Sequence, residues 1–386
     1  MEASKVQRPE FQRLADTRVR SRLRKQLLDW FTESARDLPW RRDPTPYKVW
    51  VSEIMCQQTQ IATVIPYFER FIEKYPDESA LAQSDEAELM RLWEGLGYYR
   101  RARSLRAAAQ VIVEEHQGQF PLAFDAVLAL PGIGRYTAGA ILSISQNQRL
   151  PILEGNTIRV FSRWIGMRDP VDEKATQDVL WQLSETMLLA TKPSQVSREI
   201  GPAAFNQAAM ELGALVCTPR QPKCLLCPVA KQCEAYRMGW QEEIPIKLGK
   251  TKYESRTEYA ALLQDASKRW LVRQLPEGVR FAGMWDFPKA GPPQANSVQH
   301  FERWLSSELG GHVRLGDVNH TMKHAVTKYR ITLQVHLADW KPEQDSLPKG
   351  NPLPTGWKYC TAAQLSKLPM STTGRRLLKR VTARAD

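Results

Sequence analysis

Between residues 20 and 233 the apolar positions fall mostly at helical spacing. Tyr67–Tyr75 (YFERFIEKY) and Leu105–Val113 (LRAAAQVIV) show it most clearly, the second running into the charged pair Glu114 and Glu115. Pro46, Pro66, Pro76, Gly118, Pro121 and Pro131 punctuate the pattern, because proline has no amide to donate and glycine weakens a helix interior. The prediction is a succession of short helices. After Cys233 the character changes. Residues 234–255 are polar around Pro245 and read as a linker. Beyond them Thr257–Leu263, Arg269–Val272 and Tyr329–His336 are short and rich in β-branched or aromatic residues, which predicts strands. Residues 298–309 (VQHFERWLSSEL) predict one amphipathic helix. The expected organisation is a mainly α module over residues 21–233 and an α+β domain over residues 256–386, both within ordinary domain sizes.

Composition adds one asymmetry. The 386 residues carry a formal net charge of +12, as a protein that meets a polyanion often does and as plain solubility also allows. Eight Lys or Arg against three acidic residues fall within residues 1–25, so residues 1–20 read as a basic arm. Hydrophobic residues make up 42%, enough for ordinary cores, yet no apolar run is long enough for a membrane span. The opening MEASKVQRPEFQRL lacks the apolar stretch of a signal peptide. The protein is therefore expected inside the cell (cytoplasmic), where structural disulfides are rare.

The six cysteines sharpen this. Cys56 and Cys360 stand alone, whereas Cys217, Cys224, Cys227 and Cys233 crowd into residues 217–233. Four thiolates at that density suit one metal centre, and both zinc and an iron–sulfur cluster satisfy four sulfurs. Arg220, Lys223 and Lys231 add positive charge to the loop. A second candidate is Leu130–Ala140 (LPGIGRYTAGA), where Gly132 and Gly134 precede a helix-forming run. A glycine turn before a helix presents free amides and the positive end of the helix dipole to an anion, although a GxG of this kind is often only a tight turn.

Several separated blocks resemble one family. The cysteine spacing with the preceding MELGALVCTP resembles the iron–sulfur loop of the endonuclease III and MutY glycosylases, and LPGIGRYTAGA resembles their helix-hairpin-helix. VSEIMCQQTQ (Val51–Gln60), LPWRRDPTPYKVW, IATVIPYFERF and LWEGLGYYRRARSLRAAA extend the resemblance to the MutY type over residues 25–233. FAGMWDFP (Phe281–Pro288) and NHTMKHAVTKYRITLQV (Asn319–Val335) resemble that family's Nudix-like lesion-recognition domain. The resemblance implies a helix-hairpin-helix glycosylase of two helical lobes with a Nudix-like α+β domain. It implies a 4Fe–4S cluster on the four cysteines. It also implies action, as a monomer, on double-stranded DNA holding adenine opposite 8-oxoguanine or guanine.

Site residues follow by position. Glu53, among Val51, Ile54 and Met55, is expected to protonate the leaving adenine, which burial of its carboxyl would favour. An anion is expected beneath the oxocarbenium-like sugar. Where the family has aspartate, PILEGN places Glu154, one methylene longer, with Asn156 in support. Tyr136 stands where strand-cutting relatives carry a Schiff-base lysine, and it is expected to orient Glu154 or meet the base. Trp40, Arg41 and Gln207 match the adenine pocket. Gln57, Gln58, Thr59 and Tyr98 match the mispair contacts, and Cys56 replaces an apolar wedge. Val326-Thr327-Lys328 keeps only the hydroxyl of the family's Phe-Ser/Thr-His trio. Glu302 and Glu308 are too few glutamates for pyrophosphate hydrolysis over residues 298–310. The rivals are an endonuclease III-like lyase, against which Tyr136 speaks, and a mispair-binding protein without catalysis, which Glu154 keeps open.

Overall fold

Residues 14, 16–188, 197–249, 253–343 and 353–382 are described in the computed structural model. The chain divides into two compact units, one of residues 1–84 and 103–250 and the other of residues 85–102 and 251–386.

The first unit is helical throughout its described residues. Helix α1 (Thr17–Ser34) starts where Asp16 accepts the Arg18 amide at 2.7 Å, and α2 (Pro46–Cys56) where Thr45 accepts that of Lys48 at 3.2 Å. Helices α3 (Arg135–Gln146), α4 (Gly155–Ile165) and α5 (Pro202–Leu215) follow. Leu23 and Leu27 of α1, Phe161 and Ile165 of α4, and Phe205, Ala209 and Leu212 of α5 recur at helical spacing and meet in one core. Small residues let backbones approach. A Cβ on Gly139 of α3 would stand 2.6 Å from the Pro151 carbonyl oxygen, and one on Gly213 of α5 would stand 2.7 Å from the Asn156 Cβ. Two helices thus press on the segment that carries Glu154.

The second unit holds two sheets, ordered β4-β1-β6-β5 and β3-β2-β7, from β1 (Glu254–Leu263), β2 (Trp270–Gln274), β3 (Trp285–Asp286), β4 (Lys289–Ala290), β5 (Gly311–Val326), β6 (Tyr329–Pro342) and β7 (Trp357–Cys360). The β1–β6 pair is parallel and the others antiparallel. Helices α6 (Val298–Leu309) and α7 (Thr372–Thr382) complete the α+β arrangement.

Several expectations change. Pro66 does not end a helix but lies inside Ile61–Lys74. It is exposed, and so is Ala62, whose carbonyl it leaves without an amide, while Val64, Phe68 and Phe71 bury the other face. Residues 234–255 are not a free linker: Glu234–Met238 is helical, Ile244 is buried, and the Val171 amide bonds the Ile246 carbonyl at 2.9 Å. Apolar Ile244 and Ile246 gave the segment something to pack. The basic arm lies mostly outside the described residues, and from Thr17 it is helix. Strand β5 escaped the pattern because it is an edge strand with few buried positions.

Gly139→Ala should lower stability by about 1–3 kcal/mol, the usual cost of overpacking, because a backbone carbonyl rather than a flexible side chain blocks the methyl. Urea unfolding checks this, and a midpoint equal to the parent's would show that the α3 contact is loose.

Candidate active site

A cavity of about 440 Å³ in the first unit is lined by Trp40, Arg41, Glu53, Gln57, Gln58, Thr59, Tyr136, Glu154, Asn156 and Gln207, among others. Residues far apart in sequence converge there because α2, α3, α4 and α5 each present one end or face to it. Tyr98 lies in the second unit, 47% exposed. Thr327 lies there too, at the β5–β6 turn with a positive φ of 50°, and it lines a separate cleft of about 500 Å³ with Arg256, Arg280 and Tyr329.

Glu53 sits on the buried face of α2. The Tyr136 hydroxyl donates to its Oε2 at 2.6 Å. Loss of water pushes the Glu53 carboxyl up to about 7; the nearby Glu154 adds to this, while the Tyr136 bond and the Arg41 charge oppose it. The expectation that Tyr136 orients Glu154 is corrected, since the hydroxyl is engaged by Glu53. With α3 starting at Arg135, Tyr136 lies in the first turn of α3, and that turn faces α2.

Glu154 caps α4. Its Oε1 accepts the Thr157 amide at 3.0 Å and its Oε2 the Asn156 amide at 2.9 Å, and Thr157 returns a bond to the Glu154 amide. Asn156 supports it mainly through the backbone, its side-chain amide standing 3.4 Å away. Burial pushes the Glu154 carboxyl up, against the two amides and the Arg159 charge, which favour the anion.

Sequence reasoning missed Arg36 and Glu211. Both Glu211 oxygens are taken: Arg36 Nε reaches Oε1 at 2.7 Å, Arg36 Nη2 reaches Oε2 at 2.7 Å and Arg41 Nη2 reaches Oε2 at 2.9 Å. Burial works against ionisation of Glu211, but these bonds win and hold it at about 2. A signal was available, since a glutamate inside the apolar run MELGALV must find a cation or stay neutral.

Cys217, Cys224, Cys227 and Cys233 are free thiols that line one small cavity beside Trp164. The Arg163 guanidinium donates to the Cys217 Sγ at 3.2 Å. Among the described residues no three Cys, His, Asp or Glu side chains close on a common point as a finished metal site would. At the hairpin, Gly134 caps α3 without a side-chain bond, and Gly132 has φ +79° with a Cβ there standing 2.6 Å from the Ser104 Cβ, so position 132 tolerates no side chain.

The helical unit and its hairpin define a base-excision repair protein. Residues 51–185 match the HhH-GPD superfamily of base excision DNA repair proteins and residues 259–380 a NUDIX domain. A thermostable thymine-DNA glycosylase superposes with a TM-score of 0.50 at 27% identity, over 57% of this chain and 98% of its own. The adenine DNA glycosylase of Buchnera aphidicola (subspecies Schizaphis graminum) is 34% identical over 325 residues, 84% of this chain and 90% of that one. The Mus musculus adenine DNA glycosylase is 32% identical over 88% of this chain and 75% of its own. The chain belongs to the adenine DNA glycosylase family.

Because Glu211 is held below the ordinary 4.5, its contribution to stability is full above that value and fades as pH falls toward about 2. Glu211→Gln should destabilise the protein at pH 7 by on the order of 2–3 kcal/mol, discounted because Arg36 is partly exposed. The gap between variant and parent should narrow below pH 4, and a gap independent of pH would remove charge from the explanation.

Proposed function

We propose that this chain hydrolyses the N-glycosidic bond of adenine placed opposite 8-oxoguanine or guanine in duplex DNA, inside the cell and as a single chain. The observation that carries the reading is a buried carboxyl, bonded to Tyr136 and pushed up to about 7 by loss of water, in a pocket that a second carboxyl also lines. A base flipped from the stack enters between Trp40, Arg41 and Gln207. Glu53, still protonated near neutrality, passes its proton to adenine N7 and makes the base a neutral leaving group. Glu154, whose anion is favoured by the α4 amides, faces the positive charge that grows on the sugar. Tyr136 fixes the Glu53 carboxyl in one orientation. No lysine is among the residues lining the pocket, which favours plain hydrolysis over a Schiff-base lyase.

Gln57 and Gln58 fill the gap left by the flipped base, and Thr59 meets the opposite strand; Tyr98 is the second unit's contact with the mispair. Gln58 and Tyr98 are both exposed and both hold left-handed backbones, at φ 55° and 49°. The hairpin amides at Gly132 and Gly134 hold a phosphate. The Thr327 hydroxyl contacts the base opposite adenine. Cys217, Cys224, Cys227 and Cys233 would hold a 4Fe–4S cluster, and four free thiols on one cavity with Arg163 beside them fit that group. Bound there, the cluster would cross-link a loop whose Leu225 and Leu226 are exposed rather than packed.

Single-turnover adenine release should fall as pH rises through about 7, roughly tenfold per pH unit, because the acid must be protonated. Tyr136→Phe should move that limb to higher pH, since its hydrogen bond favours the Glu53 anion. Glu53→Gln should abolish release, and Glu154→Gln should slow it by on the order of 10²-fold. A rate flat from pH 6 to 9, or a Glu154→Gln variant as fast as the parent, would leave a mispair binder or a different acid.

Purified protein should contain about four irons per chain and absorb broadly near ~400 nm. Stoichiometric zinc without iron would reassign the four cysteines.

A further inference from the structure

The segment that presents Tyr98 belongs by its packing to the second unit, with residues 251–386. Trp93, fully buried, donates its indole N–H to the Gly97 carbonyl at 3.1 Å. Arg101 stands 5.5 Å from both the Trp93 and the Tyr98 ring centres, and its Nη2 donates to the Leu96 and Gly97 carbonyls at 3.2 and 3.1 Å. Gly95, Gly97 and Tyr98 all have positive φ. A tyrosine in that region carries backbone strain of about 1 kcal/mol or more, so surroundings must hold it.

Two contacts from the C-terminal elements do so. Arg375 of α7 forks onto Glu94, with Nε to Oε1 at 2.6 Å and Nη2 to Oε2 at 2.7 Å. The Phe281 ring meets Tyr99 edge-on at 5.9 Å. Arg375 is itself fixed, because it also donates to the carbonyls of Leu365 and Leu368 at 3.1 and 2.8 Å. The start of α7 is pinned as well: Ser371 Oγ donates to the buried Asp286 at 2.6 Å, and a Cβ on Gly374 would stand 2.5 Å from that carboxylate. Both charges of the Arg375–Glu94 pair are mostly shielded, at 20% and 16% exposure, so the pair is stiffer and less screened than a surface bridge.

We propose that Arg375 is a positioning residue for mispair reading: through Glu94 it sets the loop that carries Tyr98, so the C-terminal domain controls where that ring stands. Glu94 immediately precedes the left-handed run, and holding its carboxylate fixes the origin from which Gly95 to Tyr98 turn. The inference rests on the reading that Tyr98 enters the duplex beside the mispair. It makes the C-terminal domain part of the wedge rather than only a second sensor.

The test measures single-turnover adenine release opposite 8-oxoguanine and opposite guanine and compares the ratio. The proteins are the parent, Arg375→Ala, Arg375→Lys, Tyr98→Ala and the Arg375→Ala/Tyr98→Ala double variant. Arg375→Ala should lower the ratio by about tenfold, yet lower it less than about twofold further once Tyr98 is gone, since residues acting through one another are not additive. Arg375→Lys keeps charge without the fork and should fall between. A general structural defect would instead multiply with the Tyr98 effect and lower both rates alike, which overturns the proposal. Tyr98→Ala changing the ratio while Arg375→Ala does not overturns the Arg375 role alone. Tyr98→Ala leaving the ratio unchanged overturns the wedge reading and this inference with it.

Discussion

Withdrawal of Glu53 from water is the constraint around which the catalytic unit is arranged. A carboxyl in that position would ionise easily if either neighbouring arginine were free to face it. Glu211 prevents this by taking three side-chain hydrogen bonds from Arg36 and Arg41, besides the Arg36 amide. Arg41 is thereby left as the weakest named influence on Glu53, and desolvation dominates. Glu154 then acts in the same direction, since two carboxylates lining one pocket resist sharing it as anions. Burial pushes both carboxyls up, but their surroundings divide: a phenol donates to Glu53, whereas two amides of its own helix donate to Glu154 and favour its anion.

Such a division needs the two carboxylates placed accurately, and glycine and asparagine supply the accuracy. Gly139 and Gly213 bring two helices against the backbone of residues 151–156. Buried Asn206 ties them together by donating to the Ser143 hydroxyl at 2.8 Å and the Leu150 carbonyl at 3.0 Å. Within this frame the Glu154 carboxyl folds back onto the first amides of its own helix and is tethered there, as a cap, at the pocket wall.

The second unit shows a different use of an old arrangement. Glu302 of α6 is spent on the Leu315 amide at 2.8 Å and Glu308 on Arg273 at 3.0 Å. Carboxylates used to hold the sheet and helix together are not gathered for a divalent ion. What the unit offers instead is a stable platform for two exposed left-handed residues, Tyr98 and Thr327.

Much of this was legible in the chain. Helical periodicity located Ile61–Lys74, Arg100–Glu115 and α6, because each buries one face and the period records it, and short runs of β-branched and aromatic residues located β1, β2 and β6. Local motifs placed Glu53, Tyr136, Glu154 and Asn156 on one site, since their resemblance to a family carries three-dimensional information that spacing lacks. Edge strand β5, buried on few positions, left no such record. Neither did the partners. That Tyr136 bonds Glu53 rather than Glu154, that Glu211 gathers two arginines, and that Glu94 meets Arg375 across 281 residues depend on which helix faces which. The sequence by itself determined which groups could ionise, cap or turn, because those are properties of residues and their near neighbours. Only the tertiary structure decided which of them lost water and which charge each would face, because desolvation and Coulomb attraction act through space and not along the chain.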